Sequence, residues 1–138
     1  MVRSAVIGAA LAIAAAAPAM AQGAPAGDAA AGEKAFVVCR ACHQIGPTAK
    51  NAVGPELNGV VGRKAGSVPG YEYSAANKNS GITWTVEELT PYLANPQGVV
   101  KGTKMAFAGF HGADGPQKIA NVIAYLDQFG PDGQKKGS

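Results

Sequence analysis

The strongest periodic signal lies toward the carboxyl end. Ile119, Val122, Ile123 and Leu126 fall at i, i+3, i+4 and i+7, the spacing of one apolar helix face. Asp114 is placed to cap this helix, Pro116 falls in its first turn, and Gly130-Pro131 stops it. A second stretch repeats the pattern with Leu89, Tyr92 and Leu93. Thr85-Val86-Glu87-Glu88 before it reads as a capping box, and Asn95-Pro96 ends it. Pro91 disturbs this stretch, either as a kink or as a first-turn residue of a helix that starts later. A third helix is expected over 29–38 behind Asp28, with Gly32 and Phe36 on one side. Glycine in mid-helix costs about 1 kcal/mol against alanine. Gly32 therefore marks either a close approach or a tolerated surface position. Residues 45–53 and 59–80 read as loops, with a short helix near 74–79. No run alternates as a strand would, and there is no internal repeat. The expected class is all-α, with three main helices plus short helices and loops.

The first residues follow a different pattern. Arg3 precedes an apolar run from Ala5 to Ala17, and Ala19-Met20-Ala21 fits a cleavage site. The run is short and Pro18 interrupts its end, so removal is favoured over a membrane anchor. The expected organisation is a signal peptide at 1–21, a flexible tether at 22–27, a domain at 28–130 and a polar tail at 131–138. An exported bacterial chain of this kind belongs in the periplasm, with no stable membrane insertion after cleavage. The 138 residues carry a formal charge of +3, and Arg3 leaves with the signal. Neither charge nor address suits nucleic acid. The chain also holds 19 glycines, few long periodic segments and a small domain's difficulty in burying enough apolar surface. A buried apolar group would supply what the core lacks.

Cys39-Arg40-Ala41-Cys42-His43 supplies the candidate chemistry. This is C-x-x-C-H, the attachment pattern of a c-type haem. On a helical turn, positions i, i+3 and i+4 share a face, so both thiols and the imidazole can meet one flat ligand. A thioredoxin-like disulfide needs a βαβ setting that is absent from the pattern. A structural disulfide leaves His43 unexplained. A zinc site would need His111 from a distant loop. Pro55 has a carbonyl that can orient the imidazole of His43, or it is an ordinary turn proline. Arg63, Tyr71 and Tyr73 lie in a loop layer suited to carboxylates, and haem has two.

After cleavage, Met105 is the only methionine, and His111 is the only histidine besides His43. Met105 sits in a Gly-flanked loop rather than on a helix face, which favours it as a second iron ligand over a packing role. An open sixth position would instead point to gas binding or peroxidase chemistry.

These features, with Gly54-Pro55-Glu56-Leu57, Gly62-Arg63-Lys64, Gly70-Tyr71-Glu72-Tyr73, the stretch Ala75-Ala76-Asn77-Lys78-Asn79, Tyr92-Leu93-Ala94-Asn95-Pro96 and Gly102-Thr103-Lys104-Met105, make residues 27–129 resemble a class I cytochrome c. The resemblance is to the bacterial cytochrome c2 and mitochondrial branch. It implies a small fold wrapped round one covalent haem c, held through thioethers at Cys39 and Cys42. It makes His43 and Met105 the axial ligands, with Pro55 orienting His43. Arg63, Tyr73, Asn77 and Trp84 match positions near the haem propionates. Tyr92 and Thr103 match the hydrogen-bond network on the methionine side, and Phe107 matches an aromatic over the haem edge. Gly32 and Phe36 match positions that pack on Tyr125. The implied activity is one-electron transfer by a monomer, not enzymatic turnover. Its implied partners are a membrane cytochrome bc complex as donor and a terminal oxidase, photosynthetic reaction centre or periplasmic reductase as acceptor. Three departures stand out. The loop after Phe107, which carries His111, is longer than in the mitochondrial proteins, and Pro91 is unusual within its helix. Val38, Ala52 and Gln97 also occupy positions where those proteins have lysines.

Overall fold

The computed structural model describes residues 24–137; the expected export signal lies outside them. Helix α1 (Ala29–Ala35) tightens into a 3-10 turn at Phe36–Val38. Then follow α2 (Ala75–Lys78), α3 (Val86–Ala94), α4 (Pro96–Val99) and α5 (Gly115–Asp127). Among the described residues there is no strand, only isolated bridges pairing Lys64 with Thr83 and Phe129 with Lys135.

Helix α1 starts where the Asp28 side chain accepts a hydrogen bond from the Ala31 amide at 2.8 Å, satisfying one of the orphan donors of the first turn. Its backbone lies directly on α5. A β-carbon on Gly32 would run into the Asn121 carbonyl and stand 2.9 Å from the Tyr125 Cβ. One turn later Phe36 is fully buried, its ring 5.2 Å from that of Tyr125. Gly32 is thus the close-approach residue of this crossing.

Helix α3 is capped by Thr85, whose hydroxyl accepts from the Glu88 amide at 3.3 Å; the reciprocal half of the expected capping box is replaced by the Thr85 amide donating to the Thr83 carbonyl at 2.7 Å. Pro91 lies inside the helix, so a later start is ruled out. Leu89, Tyr92 and Leu93 form its buried face. Asn95 ends α3 and at once caps α4, accepting from the Gly98 amide at 3.0 Å. In α5 the buried residues include Ile119, Val122, Ile123 and Leu126, as the periodicity requires, together with Tyr125. Asp114 holds the N-cap position without capping. Its carboxylate instead pairs with Lys118 at 2.7 Å, which holds it below the usual carboxylate range.

One expectation about the ends needs correction. Ala26 and Gly27 are not loose: the Ala26 carbonyl accepts from Gln117 Nε2 at 2.8 Å, and a β-carbon on Gly27 would press on α5 at Ala120. The polar tail is also folded back. The Lys136 amide donates to the Gln128 carbonyl at 2.8 Å, and the Gly130 amide to the Gln134 carbonyl at 2.9 Å. The contact that holds Ala26 comes from a residue far along the chain, which the small-residue sequence gives no sign of, whereas the tail bonds are local.

The buried cluster joins Phe36 of the 3-10 turn, Trp84, the inner face of α3 and the inner face of α5 with Phe129. It forms one wall of a cavity, and the segments 38–66, 71–77 and 103–107 form the others.

Candidate functional site

The cavity holds about 530 Å³, within the usual range for a cofactor pocket. Its apolar lining includes Leu57, Val60, Leu89, Leu93, Val122 and Leu126. All twelve residues singled out from the sequence line it: Cys39, Cys42, His43, Pro55, Arg63, Tyr73, Asn77, Trp84, Tyr92, Thr103, Met105 and Phe107.

The C-x-x-C-H segment continues the helical sense of the preceding 3-10 turn. The Cys42 amide donates to the Cys39 carbonyl at 3.1 Å, and the His43 amide donates to the same carbonyl at 2.9 Å. These i+3 and i+4 bonds set the two sulfurs and the imidazole on one wall. Both cysteines are free thiols. Burial, with Cys42 adding to it, pushes the Cys39 thiol up to about 11, so it stays neutral at neutral pH.

His43 Nδ1 lies 2.7 Å from the Pro55 carbonyl. That contact makes Nδ1 the protonated nitrogen and donor, and leaves Nε2 for a metal. Burial lowers the pKa of the ring, more than the Pro55 hydrogen bond raises it, and the neutral imidazole is the form that ligates. Gly54 makes this geometry possible. A β-carbon there would overlap the His43 ring, 2.7 Å from Nδ1 and 2.9 Å from Nε2. In the sequence the signal for Gly54 is the Gly-Pro pair itself, since the residue before Pro55 must leave room for the ring that Pro55 holds.

Met105 enters the cavity from the loop after α4. The Tyr92 hydroxyl donates to its sulfur at 3.6 Å, and the Met105 amide donates to the Thr103 hydroxyl at 3.3 Å. Burial raises the pKa of the Tyr92 phenol, and its hydrogen bond with Thr103 pulls the other way. Phe107 packs edge-on against Phe110 at 5.1 Å. His111 stands apart, exposed, with Nε2 2.9 Å from the Ala108 carbonyl.

The polar wall is less simple than its sequence suggested. Arg63 spends two donors on backbone, the Asn58 carbonyl at 2.8 Å and the Glu56 carbonyl at 3.0 Å, and pairs with the Glu56 carboxylate at 3.5 Å. The Tyr73 hydroxyl accepts from the Val68 amide at 3.1 Å. Trp84 is buried against Tyr92, ring centroids 4.5 Å apart. Asn77 Oδ1 is buried without a partner. Since an amide's oxygen and nitrogen interchange by a flip, Asn77 can offer an N–H to a carboxylate. An apolar slot with paired thiols, an oriented imidazole, a thioether and an unpartnered amide fits a haem c. Among the described residues no cluster of three or more acidic, cysteine or histidine side chains could hold a bare metal ion.

No protein-family model matches the chain. Individual proteins do. It is 52% identical over 120 residues to cytochrome c2 of Blastochloris viridis, covering 87% of this chain and 88% of that one. It is 54% identical over 115 residues to cytochrome c-554 of Methylosinus trichosporium, covering 83% and 85%. Among solved structures, cytochrome cH from Methylobacterium extorquens aligns with a TM-score of 0.67 at 52% identity, over 73% of this chain and 98% of that one. Cytochrome c2 from Rhodospirillum centenum aligns at 0.69 and 42% identity, over 76% and 100%.

Proposed function

The chain belongs to the class I cytochromes c, which carry electrons on a covalent haem c and are not enzymes, and from that premise we propose that it is a soluble periplasmic carrier in which His43 and Met105 would hold the haem iron. The observation that carries the ligand assignment is the pair of committed neighbours: His43 Nδ1 is held by Pro55 at 2.7 Å, and the Met105 sulfur accepts from Tyr92 at 3.6 Å. Each side chain is fixed in the wall of the same cavity by its own donor or acceptor.

The iron porphyrin supplies the one-electron couple. The protein's residues set its terms. Cys39 and Cys42 provide two thioether anchors, so the cofactor cannot exchange. Pro55 raises the basicity of His43 and fixes its tautomer. Tyr92 withdraws charge from the Met105 sulfur. A thioether ligand favours the ferrous state relative to imidazole. Leu57, Val60, Leu89 and Leu93 keep water out. Arg63, Tyr73, Asn77 and Trp84 serve the propionate side, with the Arg63 charge tempered by Glu56. Phe107 covers an edge. Lys104 at the cavity mouth, with its ammonium 5.0 Å from the Tyr71 ring centre, and the exposed Val38 and Val53 frame the face through which electrons pass.

The donor on this reading is a membrane cytochrome bc complex, and the acceptor a terminal oxidase, photosynthetic reaction centre or periplasmic reductase. Contacts with such partners are brief and small in area. The signal is removed after Ala21 and the mature chain is a monomer. Among the described residues no helix is long and apolar enough to cross a membrane. A pyridine haemochrome spectrum with an intact mass tests the reading. It should give one haem c per chain beginning at Gln22. Ready binding of carbon monoxide by the ferrous protein at neutral pH would instead show an open iron and overturn the ligand pair.

A further inference from the structure

The loop that presents Pro55 to His43 is tied shut at its base by Asn58. The Asn58 side chain accepts from the Gly46 amide at 2.8 Å and donates to the Gly46 carbonyl at 2.9 Å. Both bonds are buried, and both join the start of the loop to its end. The Asn58 amide donates to a Glu56 carboxylate oxygen at 2.5 Å, and Arg63 holds the Glu56 and Asn58 carbonyls. Pro55 therefore sits in a segment with fixed bonds on either side.

The C-terminal segment closes over this tie. Gly133 is buried. A β-carbon on it would run into the Gly46 carbonyl and stand 2.7 Å from Asn58 Nδ2. A β-carbon on Gly59 would stand 2.9 Å from the Pro131 nitrogen. The segment is itself held by the Phe129–Lys135 bridge, by the Gly133 amide donating to the Gly130 carbonyl at 2.9 Å, and by Lys136 on Asp127 at 2.8 Å. Nothing in the electron-transfer site requires a carboxyl-terminal hairpin. Its place is explained by the loop beneath it.

We propose that Asn58 is a positioning residue for the His43–Pro55 hydrogen bond, and that the hairpin formed by residues 129–136 clamps it in place. The proposal rests on His43 being an iron ligand. A shorter, better aligned bond from Nδ1–H to Pro55 makes the ring a stronger donor and favours the ferric state. Loosening the clamp therefore raises the reduction potential.

The test compares holoproteins of the wild type, Asn58→Ala, Gly133→Ala and Gly137→Ala. Gly137 is a matched control: it shares with Gly133 a φ of 77°, yet a β-carbon there meets nothing within 4 Å. The readouts are the midpoint potential and the exchange rate of the His43 ring N–H, followed by NMR in the ferrous state. Asn58→Ala and Gly133→Ala should both raise the potential and speed that exchange severalfold, while Gly137→Ala matches the wild type. If Asn58→Ala does not accumulate, Gly133→Ala and a deletion of residues 131–138 read the same two quantities. Variants that lose stability in urea yet keep the wild-type potential and exchange rate would overturn the proposal, because a merely structural clamp predicts that result. Absence of any haem-shifted His43 ring signal in the wild type would sink the ligand reading first, and the clamp with it.

Discussion

The Tyr92 hydroxyl donates to the Met105 sulfur from 3.6 Å. The bond pulls electron density from the atom assigned to iron, and so favours the ferrous state. Tyr92→Phe deletes the donor and keeps the ring that packs on Trp84. The potential should fall, by an amount corresponding to about 1 kcal/mol, the typical net worth of a neutral hydrogen bond. Protein-film voltammetry measures it. A rise would mean that the hydroxyl acts on something other than the sulfur.

Met105→Ala removes the only thioether described in the cavity wall. The ferric protein should lose its near-infrared sulfur-to-iron band, the potential should drop, and the ferrous protein should bind carbon monoxide. Cys39, Cys42 and the oriented His43 remain, so covalent haem content should not change. An unchanged potential with no carbon monoxide binding would assign the sixth position to another side chain, and His111→Ala then tests the exposed His111.

Gly54→Ala puts a methyl group where the His43 ring lies, 2.7 Å from Nδ1. The neighbour is a ring fixed at both ends, by Pro55 and by its own backbone, so it cannot swing aside cheaply. The variant should show a mixed-spin ferric spectrum and a weakened His43 bond, even if the thioethers form. An unchanged low-spin spectrum would show that the 44–58 loop yields instead of the ring.

Legibility in the sequence followed the range of the interaction. C-x-x-C-H, the helical face from Ile119 to Leu126, and the Thr85 cap are local patterns with fixed spacing, and each was readable. Pro55 was readable because a ligating histidine needs an acceptor. The Asn58 clasp was not, because an asparagine in a loop gives no sign of which backbone it will bridge. Gly133 read as part of a polar tail, since its partners, Gly46 and Asn58, lie far away in the chain. Helix α4 was hidden by Pro96, which both ends α3 and occupies the first turn of the next helix. Asp114 was placed correctly and assigned the wrong bond, because Lys118 competes for its carboxylate.

Gly32 sets two effects against each other. Alanine in place of a mid-helix glycine gains about 1 kcal/mol of helix propensity. The same methyl group would run into the Asn121 carbonyl, with the Tyr125 Cβ at 2.9 Å. Both neighbours belong to the main body of α5 and cannot rotate away, so α1 must lift from α5 and pull Phe36 from its contact with Tyr125. Overpacking of this kind costs about 1–3 kcal/mol or more, so the clash should win. Gly32→Ala is expected to lower the urea midpoint of the holoprotein, while its optical spectrum stays low-spin because no haem-lining residue is replaced. Ala30→Gly, on the exposed side of the same helix, isolates the propensity term and should cost about 1 kcal/mol. A Gly32→Ala protein more stable than the wild type would show that the α1–α5 crossing is looser than these distances state.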